Sequence, residues 1–63
     1  MTPREVEILD LVGQGLSNLQ IGQLLKISRN TVRAHLYHIY PKLGVTNRTA
    51  AAVAHVRQQG AAA

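Results

Sequence analysis

The 63-residue sequence contains no cysteine, tryptophan or phenylalanine, and its only aromatic residues are two tyrosines. Without cysteine the chain can form neither a disulfide framework nor a zinc site with thiolate ligands. No apolar run approaches the roughly 18 residues that a membrane-spanning helix needs, and no signal-peptide pattern opens the sequence. We therefore expect one cytoplasmic domain over residues 1–63, held together by aliphatic packing and without a membrane partner.

Acidic residues are few and are confined to the start of the chain. Glu5, Glu7 and Asp10 lie within the first 14 residues, whereas residues 15–63 carry six lysines and arginines and no acid. A segment this basic favours a polyanionic partner, because nucleic-acid phosphates bind cations and release counterions. A membrane surface is the weaker alternative, since the chain lacks the large aromatic anchors that such binders use.

The first helix is indicated by three agreeing signals at its start. Thr2 is a suitable N-cap, Pro3 fits the first helical position, and Glu5 completes a capping box. We expect the helix to end at Gly13 or Gly15, of which Gly15 is the better C-cap. The early acids favour the positive end of the helix dipole, which explains them without a catalytic role.

A second capping box, formed by Ser17 and Gln20, predicts a helix over about 18–25. Gly22 lies inside it at a cost of about 1 kcal/mol relative to alanine, which we expect close approach by the next helix to offset. Ser28 is an N-cap for a third helix, and the few residues between the two helices predict a steep crossing.

The third helix is expected over about 28–40, because Pro41 should kink or end it, and we expect Gly44 to close the element. A helical wheel places an apolar stripe on one side: Val32, Leu36, Ile39 and Leu43. The opposite side holds polar or small residues: Asn30, Arg33, Ala34, Tyr37 and His38. Arginine can bond bidentately to guanine and asparagine to adenine, and an alanine methyl can contact thymine. This face therefore has the chemistry of major-groove reading, although a merely solvated basic face fits the wheel equally well.

Asn47 is a plausible N-cap for a last helix that we expect Gly60 to end, with residues 61–63 frayed. Val53 and Val56 give this helix apolar surface that a small bundle need not bury. They are candidates for a dimer interface, and ordinary core packing is the alternative.

Metal and enzyme chemistry have little support in the sequence. His35 and His38 have a spacing that could bring two imidazoles to one metal, but on the wheel they diverge by about 60°. His55 is expected to be a helix-face residue. We find no phosphate-binding glycine loop and no nucleophile with a partnered base, so we expect no cofactor, no metal and no enzymatic activity.

Five motifs in order along the chain carry a family resemblance: TPRE at 2–5, GLSN at 15–18, IGQLLKIS at 21–28, TVRAH at 31–35 and KLGVTNRTAA at 42–51. Together they closely resemble the LuxR/FixJ-type, NarL-like helix-turn-helix domain. The resemblance implies a compact four-helix fold that binds double-stranded DNA as the C-terminal effector domain of a bacterial transcription regulator. It also implies a homodimer on an inverted repeat, paired through the last helix, and an N-terminal receiver or sensor domain.

The resemblance also implies residue roles. The helix from Ser28 would be the recognition helix. The positions that match base-reading sites are Arg33, Ala34 and Tyr37. Those better placed for phosphates are Lys26, Ser28, Asn30, Thr31 and Lys42. Lys26 stands where the family often has glycine, so it either adopts a left-handed conformation at about 1–2 kcal/mol or the turn differs.

A different class of function stays open from the residues alone. The valine and alanine surface of the last helix also suits a protein-interaction or dimerisation module with incidental nucleic-acid affinity.

Overall fold

A computed structural model describes the backbone of residues 1–62 and the side chains of residues 1–58. Its four helices are α1 (Pro3–Gly13), α2 (Asn18–Leu25), α3 (Arg29–Leu43) and α4 (Arg48–Ala62). The part of the chain that is described contains no strand, which confirms the all-α prediction. Over the same residues no helix has the length and apolarity to cross a bilayer.

Side-chain caps begin all four helices where the sequence predicts them. The Thr2 and Glu5 capping box precedes α1, and a second box at Ser17 precedes α2. Ser28 accepts a hydrogen bond from the Thr31 amide at the start of α3, at 3.0 Å. Asn47 Oδ1 accepts one from the Ala50 amide at the start of α4, at 2.8 Å. These caps satisfy amides that have no partner within their own helix.

Two predicted helix ends are wrong. α3 does not stop at Pro41 but continues to Leu43, because the proline lies in the last turn and its own carbonyl accepts the Gly44 amide at 3.1 Å. Gly44 then takes the left-handed conformation (φ 69°) and closes the helix. α4 likewise runs through Gly60 to Ala62. Of the residues 61–63 that we expected to fray, Ala63 lies outside the described part.

One aliphatic core joins the helices. Its fully or nearly fully buried members come from every helix: Ile8, Leu9, Val12, Ile21, Val32, Leu36, Ile39 and Ala51. Leu43 is only partly buried against this cluster, at the edge of the apolar stripe predicted for α3. Because α3 packs its apolar stripe inward, the polar face of the same helix points away from the core.

The α2–α3 turn is tight. Lys26 adopts the left-handed conformation (φ 59°, ψ 44°), so the first of the two alternatives for this residue is the observed one. The Ile27 amide bonds the Gly22 carbonyl at 2.9 Å and closes the turn. A Cβ on Gly22 would lie 2.5 Å from the Ile27 carbonyl oxygen and 3.4 Å from the Arg29 amide nitrogen. The backbone that approaches this glycine most closely is therefore that of the turn rather than that of the next helix. The turn thereby fixes how α3 leaves α2.

Polar side chains also tie α4 to the rest of the fold. Arg48 donates hydrogen bonds to Asn18 Oδ1 and to the Leu16 carbonyl oxygen. The His55 Nε2 atom lies 2.5 Å from Asp10 Oδ1 of α1, and the imidazole is buried. His55 therefore lies on the face of α4 that packs against α1.

Candidate nucleic-acid interface

Four residues of α3 form a shallow, open depression on the surface: Asn30, Arg33, Ala34 and Tyr37. We call this the α3 outer face. All four side chains are exposed, as is the neighbouring His38, so the wheel assigned these residues to the correct side. The three positions expected to read bases, Arg33, Ala34 and Tyr37, therefore lie together. The face offers a guanidinium, an amide, a phenol and a methyl group to a partner.

The Arg33 guanidinium does not extend freely from this face. Its Cζ lies over the Tyr37 ring, 5.6 Å from the ring centroid. The Tyr37 ring meets the Tyr40 ring edge-on, with centroids 6.3 Å apart and planes at 77°. Tyr37 is 60% exposed, whereas Tyr40 is partly buried against the core. The two tyrosines of the chain thus link the core to the arginine.

The start of α3 has the features of an anion site. Ser28 Oγ and Thr31 Oγ1 lie 2.9 Å apart and both side chains are exposed. Ser28 caps the Thr31 amide, and the amides of the first turn point out of the helix at its positive dipole end. Lys26 in the turn and Asn30 are also exposed. Four of the five residues expected to bind phosphate therefore surround one helix end.

Lys42, the fifth, lies at the other end of α3 and already has a partner. Its Nζ donates to both oxygens of the Glu5 carboxylate, at 2.7 and 2.9 Å. The hydrogen bond from Lys42, together with one from the Thr2 amide, lowers the pKa of Glu5 from 4.5 to about 2. Glu5 is 4% exposed, whereas the lysine side chain is half-exposed. The pair is neutral overall, which reduces the charge that Lys42 can offer to a phosphate.

Sequence reasoning missed this pair and the role of Arg48. The capping box identified only a local partner for Glu5, and no sequence signal marks a contact between residues 37 positions apart. Arg48 is one of the six lysines and arginines counted in residues 15–63, but its guanidinium donates hydrogen bonds to Asn18 of α2 and to Leu16 in the preceding loop. Arg29 is an additional exposed cation at the start of α3, to which the sequence analysis gave no role.

The two histidines of α3 differ in exposure: His35 is partly buried and His38 is exposed. Within the described residues, no group of three or more histidine, cysteine or acidic side chains could hold a metal ion.

An apolar patch lies on α4. Val53 and Val56 are 45% and 57% exposed, and with Ala52 and Arg57 they line a shallow depression. Core packing accounts for Ala51 in the same helix but not for the two valines. We call Val53 and Val56 the α4 patch.

Comparison with known proteins adds independent information. The model of a family described as bacterial regulatory proteins of the luxR family matches residues 1–55. The chain is 50% identical over 56 residues to the probable transcriptional regulatory protein SgaR of Hyphomicrobium methylovorum, across 89% of this chain and 26% of that protein. It is 43% identical over 61 residues to the nitrate/nitrite response regulator protein NarP of Escherichia coli, across 97% of this chain and 28% of that protein.

A solved structure agrees with these relatives. The crystal structure of the response regulator ChrA, from a heme-sensing two-component system, is similar with a TM-score of 0.85 and 55% sequence identity. The similarity covers 92% of this chain and 29% of ChrA. The chain thus spans about a quarter of the length of the curated relatives named above.

Proposed function

The chain belongs to the LuxR family of bacterial regulatory proteins and is a helix-turn-helix DNA-binding domain of a transcription regulator, not an enzyme; from this premise we propose how it reads DNA. α3 enters the major groove, and its outer face contacts base edges through Arg33 and Ala34, with Tyr37 beside them on the same face. The domain serves as the effector part of a longer cytoplasmic regulator that carries a receiver or sensor domain.

The observation that carries this proposal is the composition of the α3 outer face. Its four side chains are exposed, include a guanidinium and an amide, and include no carboxylate that phosphates would repel. An α-helix fits the major groove, where arginine pairs with guanine and an alanine methyl contacts thymine. The recognition helix of a helix-turn-helix contacts bases from its N-terminal part, which is where this face lies.

Phosphate contacts are assigned to the start of α3. Lys26 supplies an ammonium, Ser28 and Thr31 supply hydroxyl donors, and Asn30 supplies an amide beside the open amides of the first turn. Lys42 stays a prediction of the resemblance, with its salt bridge to Glu5 arguing for a smaller contribution. Contacts of this kind fix the register of the helix on the duplex and carry no sequence information themselves.

A homodimer on an inverted repeat completes the proposal. The exposed α4 patch supports pairing through α4, because Val53 and Val56 would leave water when two copies meet. A two-fold symmetric pair matches an operator with two-fold sequence symmetry.

Selection of bound sequences from a pool of random duplexes tests the function and supplies the operator. We expect a short preferred half-site that occurs twice in opposite orientation. Enrichment of no sequence at low salt would contradict the proposal.

The role of the α3 outer face is then tested by measuring the binding of Arg33→Ala to the selected operator. We expect a loss of about 1–3 kcal/mol and relaxed preference at one base pair, because one bidentate contact disappears. Arg57→Ala is the matched control for base preference, since it removes an exposed arginine from α4 rather than from α3. Only the preference at the base pair is compared, because Arg57 borders the α4 patch. An unchanged base preference in Arg33→Ala would show that the outer face is not the reading face.

The second candidate function is a helical interaction module that dimerises through α4 and binds DNA only incidentally. The exposed α4 patch is the observation that favours it. Sedimentation with and without the operator duplex separates the two functions, because a tight dimer that is indifferent to DNA supports the second.

A further inference from the structure

The side chains that contact Tyr37 define its role more closely than its position on the α3 outer face does. A tyrosine on such a face could contact a base through its hydroxyl group. In this chain, however, the ring already lies under the Arg33 guanidinium, 5.6 Å from its Cζ. The ring is therefore positioned to act on the arginine.

We infer that Tyr37 is a positioning residue, whose ring holds the Arg33 guanidinium ready to bond a base. This inference rests on the proposed function and gives the contribution of Tyr37 to the sequence specificity of the α3 outer face. The hydroxyl of Tyr37 has no necessary part in it, so phenylalanine should serve as well as tyrosine.

The spacing of the residues supports this role. Arg33 and Tyr37 are one helical turn apart, so their side chains lie on the same stripe of α3. The positive guanidinium is attracted to the negative face of the ring, and it keeps its N–H groups free at the outer edge when it stacks. The arrangement leaves the donor fork of Arg33 available to a guanine.

Tyr40 restrains Tyr37 in turn. The two rings meet at 77°, an edge-to-face arrangement that aromatic pairs favour. Tyr40 packs against the core and is only partly exposed, so its position is set by the fold. A tyrosine without a packing partner would change rotamer and leave the arginine mobile. The Tyr37 ring, in contrast, is in contact with Tyr40 on the side that faces the core.

The benefit to binding is entropic. A free arginine side chain loses rotamer freedom when it adopts the single orientation that a bidentate contact needs. An arginine that is already stacked loses less. An attraction of the strength found at exposed sites raises the population of the binding-ready orientation, and with it the affinity, by at most about two- to fivefold. This gain acts only through Arg33, so it should apply to the operator and be absent for a duplex without the base that Arg33 contacts.

The first experiment is NMR on the free 63-residue protein with three sequences at position 37: wild type, Tyr37→Phe and Tyr37→Leu. We expect the δ-methylene protons of Arg33 to lie upfield in the wild type and in Tyr37→Phe, because an aromatic ring current shields them. They should return to the ordinary position in Tyr37→Leu. Since Tyr37 is 60% exposed, all three proteins should fold, which circular dichroism verifies.

The second experiment titrates the same proteins against the selected operator and a scrambled duplex at fixed salt. We expect Tyr37→Phe to match the wild type. Tyr37→Leu should bind the operator about two- to fivefold more weakly and leave binding to the scrambled duplex unchanged. In the double variant Arg33→Ala/Tyr37→Leu the loss should equal that of Arg33→Ala alone, because Tyr37 then has no arginine to hold.

The outcomes distinguish a failure of the positioning role of Tyr37 from a failure of the proposed DNA-binding function. Equal losses in Tyr37→Phe and Tyr37→Leu would mean that the hydroxyl contacts DNA, and fully additive losses in the double variant would mean that the two residues act separately. Either result overturns the positioning role of Tyr37 but leaves the proposed DNA contact of the α3 outer face intact. A wild type that prefers no duplex overturns the proposed function instead, and the NMR comparison still reports whether the ring holds Arg33.

Discussion

At the scale of single residues, Glu5 has an unusual combination of burial and charge. The residue is 4% exposed, and its carboxylate accepts hydrogen bonds from the Lys42 ammonium and from the Thr2 amide. Hydrogen bonds to the charged form favour that form, which is why the pKa of Glu5 falls to about 2. A group whose pKa differs between the folded and unfolded chain makes the folding stability depend on pH.

The sign of that dependence follows from the lowered pKa. As the pH falls, the unfolded chain binds a proton at Glu5 near 4.5, whereas the folded chain does so only near 2. The stabilisation is therefore complete above about pH 4.5 and is lost progressively toward pH 2. We predict that Glu5→Gln lowers the stability at neutral pH and makes it flatter across this window, as measured by urea unfolding at a series of pH values.

Glu7→Gln is the matched control for that series, because Glu7 is exposed on the same helix. Its stability profile should follow that of the wild type. If Glu5→Gln retained the full acid-induced loss of stability, the lowered pKa of Glu5 would not be its source.

Lys26 combines two properties that one substitution can separate. Its left-handed backbone (φ 59°) is strained for a residue with a Cβ, while its ammonium is assigned to a phosphate. We predict that Lys26→Gly raises the stability by about 0.5–1 kcal/mol, since the relief of strain exceeds the added entropy of the unfolded chain. The same substitution should weaken binding to operator and scrambled duplexes alike.

Lys26→Ala completes this comparison, because it removes the ammonium but keeps the strained backbone. It should weaken DNA binding as Lys26→Gly does, without the gain in stability. Denaturant unfolding and gel-shift titration at one salt concentration measure the two effects separately. Equal stabilities of the glycine and alanine variants would contradict the strain argument.

At the scale of the elements, α3 is held at both ends by different means. The cap at Ser28 and the tight turn at Lys26 fix its start. At its other end Gly44 closes the helix, and the Lys42–Glu5 salt bridge joins it to the start of α1. The apolar stripe between these ends sets which side faces outward, so the α3 outer face is oriented by the attachments at both ends of the helix and by the packing between them.

Lys42 tests whether this last attachment is structural. We predict that Lys42→Gln lowers the stability, because it leaves the buried Glu5 carboxylate without its cation. One lost phosphate contact changes the slope of log K against log salt concentration by about 0.9. The change in this slope for Lys42→Gln should be well below that value.

Lys26→Gln is the matched change, and for it we expect the full slope change of about 0.9. Titrations at four or more salt concentrations give both slopes. A full slope change in Lys42→Gln would restore Lys42 as a phosphate contact in its own right.

Much of the element structure could be predicted from the sequence because its causes are local. A cap such as Ser17 with Gln20 involves residues three apart, and the wheel of α3 needs only its own residues. The predicted ends of two helices were wrong because each was placed at a single helix-breaking residue. Pro41 lies within the last turn of α3, where little helix remains to be interrupted, and Gly60 is likewise passed through.

Contacts between distant residues had no such signal. The Lys42–Glu5 and Arg48–Asn18 pairs join positions 37 and 30 residues apart, and only the packed fold brings them together. The same limit applies to the site. The sequence identified Arg33 and Tyr37 as neighbours on one face, but the stacking of one on the other and the bracing by Tyr40 depend on side-chain geometry.

At the scale of the whole molecule, charge and apolar surface are assigned to different helices. The acids are confined to α1, exposed cations surround the start of α3, and the α4 patch is apolar. In the proposed function, DNA contact and pairing of two copies therefore use separate surfaces, so a substitution should remove either one without the other.

Val53→Gln tests this separation. We predict that it shifts the protein toward the monomer, because a glutamine amide in the α4 patch would be buried without a partner in the proposed dimer. Binding to an isolated half-site should be unchanged, since the α3 outer face is untouched. Binding to the full inverted repeat should lose its cooperativity, because the second copy no longer gains from the first.

Val6→Gln is the matched control for the α4 patch: Val6 is 42% exposed on α1, close to the 45% of Val53. Both substitutions replace an exposed valine in a helix, so a general effect of the change would appear in both. Sedimentation of the two proteins, alone and with half-site and full-site duplexes, measures assembly and DNA binding together. Because pairing through α4 requires Val53 but not Val6, equal behaviour of the two variants would contradict pairing through the α4 patch.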